Sequence, residues 1–282
     1  MATLTKRSAR RQEDLASSPF DSWTRPAGGP IAHFHRQGDD ILLRFPQCAD
    51  FEIRPGSEEV VCHPVPGIDE TTIDNVFYNS IRPLLINHGG GLALHGSACS
   101  TPYGAIAFVG LSRSGKTTLA GACAKVGNPF LTEDVIELQF SGDAYRVIPQ
   151  RPLLRVFSDT ADYLRQEREG ENGALPKVAL KSGKDLPFAS EAADLVAIYV
   201  LGAGEATEPT FKPLEPQHAL AEIMQHAFVL DVEDKPRLRA HFNRLSDLAL
   251  KVPFVALDYR RQYDALPSLV EAVVEDARSR GT

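Results

Sequence analysis

The residues best suited to chemistry are His95, the run "GLSRSGKT" at 110–117, and the adjacent acids Glu133 and Asp134. The run satisfies the phosphate-loop pattern GxxxxGK[ST] in full. Its glycines permit a tight turn in which backbone N–H groups converge on phosphate oxygens, and a helix N-terminus adds partial positive charge. An apolar strand, "AIAFV", runs into the loop and a helix of small residues, "KTTLAGACAKVG", runs out, which is the context the pattern requires. Gly110, Ser112, Arg113, Ser114, Gly115, Lys116, Thr117 and Thr118 are therefore the candidate nucleotide contacts. Lys116 is expected to reach the β- and γ-phosphates of the nucleotide, and the Thr117 hydroxyl to help hold Mg²⁺.

An acid near the carboxyl end of a neighbouring strand is placed to serve that metal. Glu133 and Asp134 are both candidates, with Thr117, for the Mg²⁺ site. Two consecutive acids on a regular strand point to opposite faces, so one can meet the metal while the other meets the acceptor. A carboxylate near the γ-phosphate can also take the proton of an attacking hydroxyl. The spacing leaves open which acid does which. His95 follows an apolar run, as a structural histidine or as a group that orients the acids.

Further basic residues admit a solvated or a functional reading: Lys177, Lys181 and Lys184 in a polar stretch at 165–187, and Arg237, Arg239, Arg260 and Arg261. "HFH" at 33–35 places two histidines on one strand face, too few by themselves for a metal site.

Several elements must position these groups. In "GLALHGSACSTPYGAIAFVG", two apolar runs flank a Pro/Gly turn and predict an antiparallel hairpin. Pairing Ser100 with Ala105 would set His95 opposite Gly110. "PFLTEDVIEL" reads as one strand carrying the acidic pair. "AYRVIPQRPLLRVF" reads as strand and turn, and "ADLVAIYVL" as a buried strand. Helices are expected in "EPQHALAEIMQHAF", "KPRLRAHFNRLSDLALKV" and "ALPSLVEAVVEDARSRG", with "PFVALDYR" a strand between the last two. Upstream, "DDILLRF", "DFEIRP" and "EEVVCHPV" read as strands, and a helix interrupted by Pro83 follows toward Gly89. The expected organisation is a tail without a packed core at 1–30, a small β-rich subdomain with a helix at 31–90, and an α/β domain with a mixed central sheet at 91–282.

The totals fit that plan. The 282 residues are 43% hydrophobic and 24% charged, with a formal charge of −7. That balance argues against a general nucleic-acid partner, which needs a basic surface. No apolar run is long enough to cross a bilayer. Four cysteines without CxxC spacing suit reduced thiols in a cytoplasmic protein.

"LHGSA", the phosphate loop, "LTEDV" and "RPLLRV" together resemble the kinase domain of the HPr kinase/phosphorylase family. The likeness is greatest to the shorter HPr-kinase-like proteins, some encoded beside lasso-peptide genes, which phosphorylate peptide serine. The resemblance implies a P-loop kinase domain of the HPr-kinase type that transfers the γ-phosphoryl group of ATP to a serine hydroxyl. Its acceptor would be a peptide or small protein, such as a ribosomally made precursor peptide or HPr, and the family's hexamers imply a homo-oligomer. By carry-over, Asp134 or Glu133 is the base, the other acid serves Mg²⁺ with Thr117, His95 supports the pair, and Arg155 is a candidate phosphate or acceptor contact. Glu133 stands where the family usually has Asp, and the full family's second signature has no counterpart here. Both departures bear on the reverse phosphorylase reaction and on HPr as acceptor. A small-molecule alcohol kinase, and a nucleotide-dependent regulatory or assembly module without transfer, are the other readings.

Overall fold

A computed structural model describes residues 2–25, 28–54, 56–165 and 178–280. The chain divides into two compact units, Met1–Leu85 with Leu230–Lys235, and Ile86–Val229 with Pro236–Thr282.

The first unit is built on six strands: β1 (Thr3–Lys6), β2 (Asp21–Thr24), β3 (Pro30–Gln37), β4 (Asp40–Phe45), β5 (Ala49–Ile53) and β6 (Glu59–Pro64). They lie in the order β1-β6-β5-β4-β3-β2, antiparallel except where β1 runs parallel to β6. Residues 1–30 are thus not a tail without a packed core, because both outer strands come from them. β1 pairs Leu4 with Val60, and Trp23 of β2 sets its ring against Phe34 at 5.2 Å. These strands are four residues each, too short to show a periodic signature before their partners are known. Alternation on the inner strands buries Phe34, Leu43 and Phe51. His33 and His35 share a face, as expected, but Nδ1 of His33 meets the Ser22 hydroxyl at 2.8 Å and Nδ1 of His35 meets the Ser17 carbonyl at 3.1 Å. Among the described residues no group of three or more His, Cys, Asp or Glu side chains is arranged to hold a metal.

α1 (Glu70–Val76) starts on Asp69, whose carboxylate accepts from the Thr72 N–H at 2.8 Å. A π-turn at Phe77–Ile81 separates it from α2 (Arg82–His88). The turn falls just ahead of Pro83, which lacks the N–H that a regular ladder would use.

The second unit holds β7 (Leu92–His95), β8 (Ser97–Thr101), β9 (Gly104–Val109), α3 (Lys116–Lys125), β10 (Phe130–Thr132), β11 (Val135–Ser141), β12 (Ala144–Ile148), β13 (Leu153–Val156), α4 (Ser158–Arg165), β14 (Val178–Lys181), β15 (Ala193–Leu201), β16 (Thr210–Pro213), α5 (Pro216–Met224), α6 (Lys235–Lys251), β17 (Phe254–Asp258) and α7 (Leu266–Arg280). Nine strands form one mixed sheet that branches at β15. The N-terminal end of β15 pairs antiparallel with β12, and the rest runs parallel to both β9 and β17. This mixed α/β architecture is the one the alternation of elements predicts. Parallel strands β9, β15 and β17 all end toward the same edge, where α/β sheets present their loops to ligands.

The β8–β9 hairpin has the expected register, Ser100 opposite Ala105. It does not extend to His95. Gly96 separates β7 from β8, and His95 pairs instead with Val135 of β11. A Cβ at Gly96 would stand 2.6 Å from the Phe108 carbonyl oxygen and 2.5 Å from Ile136 Cδ1, so only glycine lets the chain pass between the two arms of the sheet.

α3 is buried over most of its surface, from Leu119 through Ala124, which explains its small residues. It closes with Gly127 N–H donating to the Ala124 carbonyl and Asn128 N–H to that of Cys123. The polar stretch at 165–187 is structured where it is described, since β14 pairs with β13. Its residues 166–177, with Lys177, lie outside the described residues. No helix among the described residues is long and apolar enough to cross a membrane. All four cysteines are free thiols.

Candidate active site

The loop at 110–115 leaves β9 and enters α3. Gly115 caps the helix at φ 98°, and a Cβ there would stand 2.8 Å from the Tyr259 hydroxyl. Glycine is required on both counts. Lys116 is buried, and its Nζ donates to the carbonyls of Gly110 (2.8 Å) and Leu111 (2.9 Å). Its own carbonyl accepts from the buried Ser97 hydroxyl at 2.7 Å. The lysine is thereby folded against the loop, and β8 is tied to the first turn of α3.

The acidic pair sits on a bend, not on one regular strand. β10 ends at Thr132 and pairs with β8, whereas β11 begins at Val135 and pairs with β7 and β12. Each carbonyl of the bend has a donor: Glu133 O takes Val135 N–H (2.7 Å), Asp134 O takes Gly96 N–H (3.1 Å), and Val135 O takes the Thr132 hydroxyl. Asp134 adopts φ 60°, in the left-handed region. The pleat's alternation therefore does not apply. Asp134 lines the cavity beside Lys116, while Glu133 is buried, 8% exposed, and does not line it.

That cavity has a volume of about 670 Å³, within the range that holds small ligands. Its lining includes Lys116, Thr117, Asp134, His95 and Arg155. Arg155, on β13, approaches Asp134 at 3.8 Å, an ion pair too long for a direct hydrogen bond. Ser112, Arg113, Gly115 and Thr118 also line the cavity; Gly110 and Ser114 do not, and Ser114 is buried. Arg113, at φ 66°, holds its guanidinium 5.6 Å from the Phe157 ring. Among the described residues three non-glycines have positive φ, and two of them, Arg113 and Asp134, line this cavity, which is where backbone strain tends to gather.

Sequence reasoning does not find several members of the site. The start of α4 brings Ser158, Asp159 and Thr160 to the cavity, and the segment after β17 brings Tyr259, Gln262 and Tyr263. Arg261 is more than surface charge: it donates to the Gly202 carbonyl at 2.7 Å and to the Arg113 carbonyl at 3.4 Å, joining the loop after β9 to the end of β15. The Asp258 carboxylate gathers the N–H groups of Gly204 (2.6 Å), Tyr259 (3.1 Å), Glu205 and Ala206 (both 3.2 Å). Burial pushes this carboxyl up, but those donors outweigh it and hold it below the ordinary range. Arg237 instead donates to the His88 carbonyl at 2.8 Å.

His226 does not line the cavity but supports His95, and sequence reasoning passes over it as well. The expected helix stops at Met224, because the backbone beyond it serves the edge of β7: His95 N–H donates to the His226 carbonyl at 2.7 Å, and Leu94 bridges Ala227. The Asn87 amide locks this arrangement, donating to the carbonyls of Ala93 (3.0 Å) and Phe228 (2.9 Å) while accepting from Ala93 N–H (2.6 Å). The imidazole of His226 is 6% exposed. Burial, with the charges of His95 and Lys116, lowers its pKa to about 4, so it is neutral at physiological pH. The only sequence signal was a histidine at the end of an amphipathic helix.

The arrangement can bind an anion through the loop, carry a divalent cation on the Thr117 hydroxyl and the Asp134 carboxylate, and accept a proton at Asp134. Oxygen donors suit Mg²⁺, and one carboxylate suffices where phosphates and water complete the shell, so a three-residue cluster is not needed.

No protein-family description matches the chain, and no curated protein matches it. Among solved structures, the Hpr(Ser) kinase/phosphatase from Coxiella burnetii is similar, with a TM-score of 0.39 and 10% identity over 67% of this chain and 97% of that one. At that level the likeness carries no conclusion about reaction or substrate.

Proposed function

We propose that the chain is an ATP-dependent kinase that transfers the γ-phosphoryl group to a serine hydroxyl on a peptide or small protein. One observation carries this reading: Lys116, at the start of α3, and Asp134, on the bend after β10, line the same cavity. A lysine on a phosphate loop without a facing carboxylate would suit binding alone. A carboxylate beside it adds a proton acceptor where the acceptor hydroxyl must arrive.

The roles divide as follows. Backbone N–H groups of 112–117 cradle the phosphates, and Lys116 turns from the loop carbonyls to the β- and γ-phosphates. Thr117 and Asp134 are the residues that would hold Mg²⁺, which would supply charge screening of the transferring group. Asp134 orients the hydroxyl and takes its proton as the oxygen attacks. Arg155, already facing Asp134, stabilises charge on the moving phosphoryl group. His95 borders the acceptor side. Glu133 shapes the bend rather than touching the reactants. Alignment and charge stabilisation account for most of the rate in this chemistry.

The test is incubation with γ-labelled ATP and serine-containing peptides, comparing wild type with Lys116→Ala. Label retained on serine with wild type alone is expected. Tight ATP binding without any labelled product, across peptides and small alcohols, would refute transfer.

A further inference from the structure

We propose that the end of the cavity formed by Tyr263, Thr160 and Leu266 is a nucleobase subsite, in which a planar base stacks on the Tyr263 ring. The inference rests on the nucleotide-binding reading above and specifies which end of the cavity takes the base.

Direction comes from the loop itself. Lys116 and Asp134 mark the terminal-phosphate end. Backbone groups entering a phosphate-loop helix meet the α- and β-phosphates, so the nucleoside lies beyond Thr118. From Thr118 a chain of hydroxyls leads along the wall: Thr118 Oγ1 meets Thr160 Oγ1 at 3.2 Å, and Thr160 Oγ1 meets the Tyr263 hydroxyl at 3.0 Å. Thr118, Thr160, Tyr263 and Leu266 all line the cavity.

Tyr263 is held before any ligand arrives. Its ring stacks on Tyr163 at 5.0 Å and 24°, and Lys125 sits 4.0 Å from the Tyr163 ring. Tyr263 lines the cavity and Tyr163 does not, so the stack occupies one face of the Tyr263 ring from outside the cavity, and the other face is the one assigned to the base. The Tyr263 hydroxyl is fixed by Thr160, which removes rotational freedom a stacking ligand would otherwise have to quench. A base added to this stack meets an aromatic platform, with Leu266 as apolar packing and Asp159 and Gln262 as polar edges.

Binding of ATP and of inorganic tripolyphosphate by calorimetry tests this. Wild type should bind ATP more tightly than tripolyphosphate. Tyr263→Ala should weaken ATP by about tenfold, the scale of base–aromatic stacking, and leave tripolyphosphate unchanged, while Tyr263→Phe keeps the wild-type preference. Tyr263→Leu retains bulk without a π-face and should behave like Ala, which covers the case of an unfolded alanine variant. Equal binding of the two ligands by wild type overturns the subsite while leaving phosphate binding intact. An equal loss for both ligands in Tyr263→Ala, or no loss for either, also overturns it. A wild type that binds neither ligand overturns the subsite and the nucleotide reading together.

Discussion

The loop at 110–115 and the acidic bend both contribute to the cavity lining, yet they are made in different ways. The loop is shaped by contiguous residues: Gly115 turns, Ser114 N–H donates to the Leu111 carbonyl, and Lys116 folds onto Gly110 and Leu111. The bend owes its form to distant partners, Gly96 beneath Asp134 and strands β8 and β7 pulling β10 and β11 apart. A function carried by consecutive backbone can be written as a short pattern. A function carried by one side chain's direction depends on topology, and two adjacent carboxylates look alike until the turn between them is known.

The sharpest way to break this contrast is at the loop. Lys116→Ala should leave no measurable transfer and greatly weaken triphosphate binding in a direct binding assay; retained turnover would end the assignment. At the bend, Asp134→Asn should lower kcat by about 10²–10⁴-fold, the range of a general base, with ATP affinity little changed. Glu133→Gln should cost far less turnover under the same conditions, because the side chain does not line the cavity. If the two results are exchanged, the acids have been given each other's roles.

The scaffold beneath the bend predicts smaller, structural effects. Gly96→Ala forces a Cβ against the Phe108 carbonyl and should cost about 1–3 kcal/mol of stability, read by urea unfolding. His226 adds a pH signature. Its folded pKa of about 4 lies below the ordinary 6.5, so the unfolded chain binds the proton first as pH falls. Stability is therefore fully present above pH 6.5 and declines as pH falls toward 4. Between pH 7 and 5 the loss from this group is on the order of 2 kcal/mol. His226→Gln should flatten the profile, although His241, also lowered to about 4 by burial, keeps a second slope of the same sign.

Much of the scaffold was legible from sequence. The Ser100–Ala105 register followed from two apolar runs and their turn, and α3 from its glycine stop and small residues. The edge strands β1 and β2 escaped because four residues carry no period, and their apolar side chains make sense only against Val60 and Phe34. Within the site, Lys116 and Asp134 were visible as motif members. Tyr263 and Thr160 were not, since they arrive on separate segments, after β17 and at the start of α4, and each reads alone as ordinary surface composition, whereas Arg261 stood out only as one of several arginines open to a functional reading. His226 was hidden by the helical pattern running through it.

The left-handed backbone at 134 makes the order of the two acids a matter of geometry as well as charge. A short carboxylate tolerates that conformation, because its oxygens can bond locally, better than a longer one does. Exchanging the neighbours to Asp-Glu would preserve composition and net charge, yet it would ask the less tolerant residue to occupy the turn and withdraw the shorter reach from the ligand. The dipeptide is directional, and its mirror image in sequence is a different site.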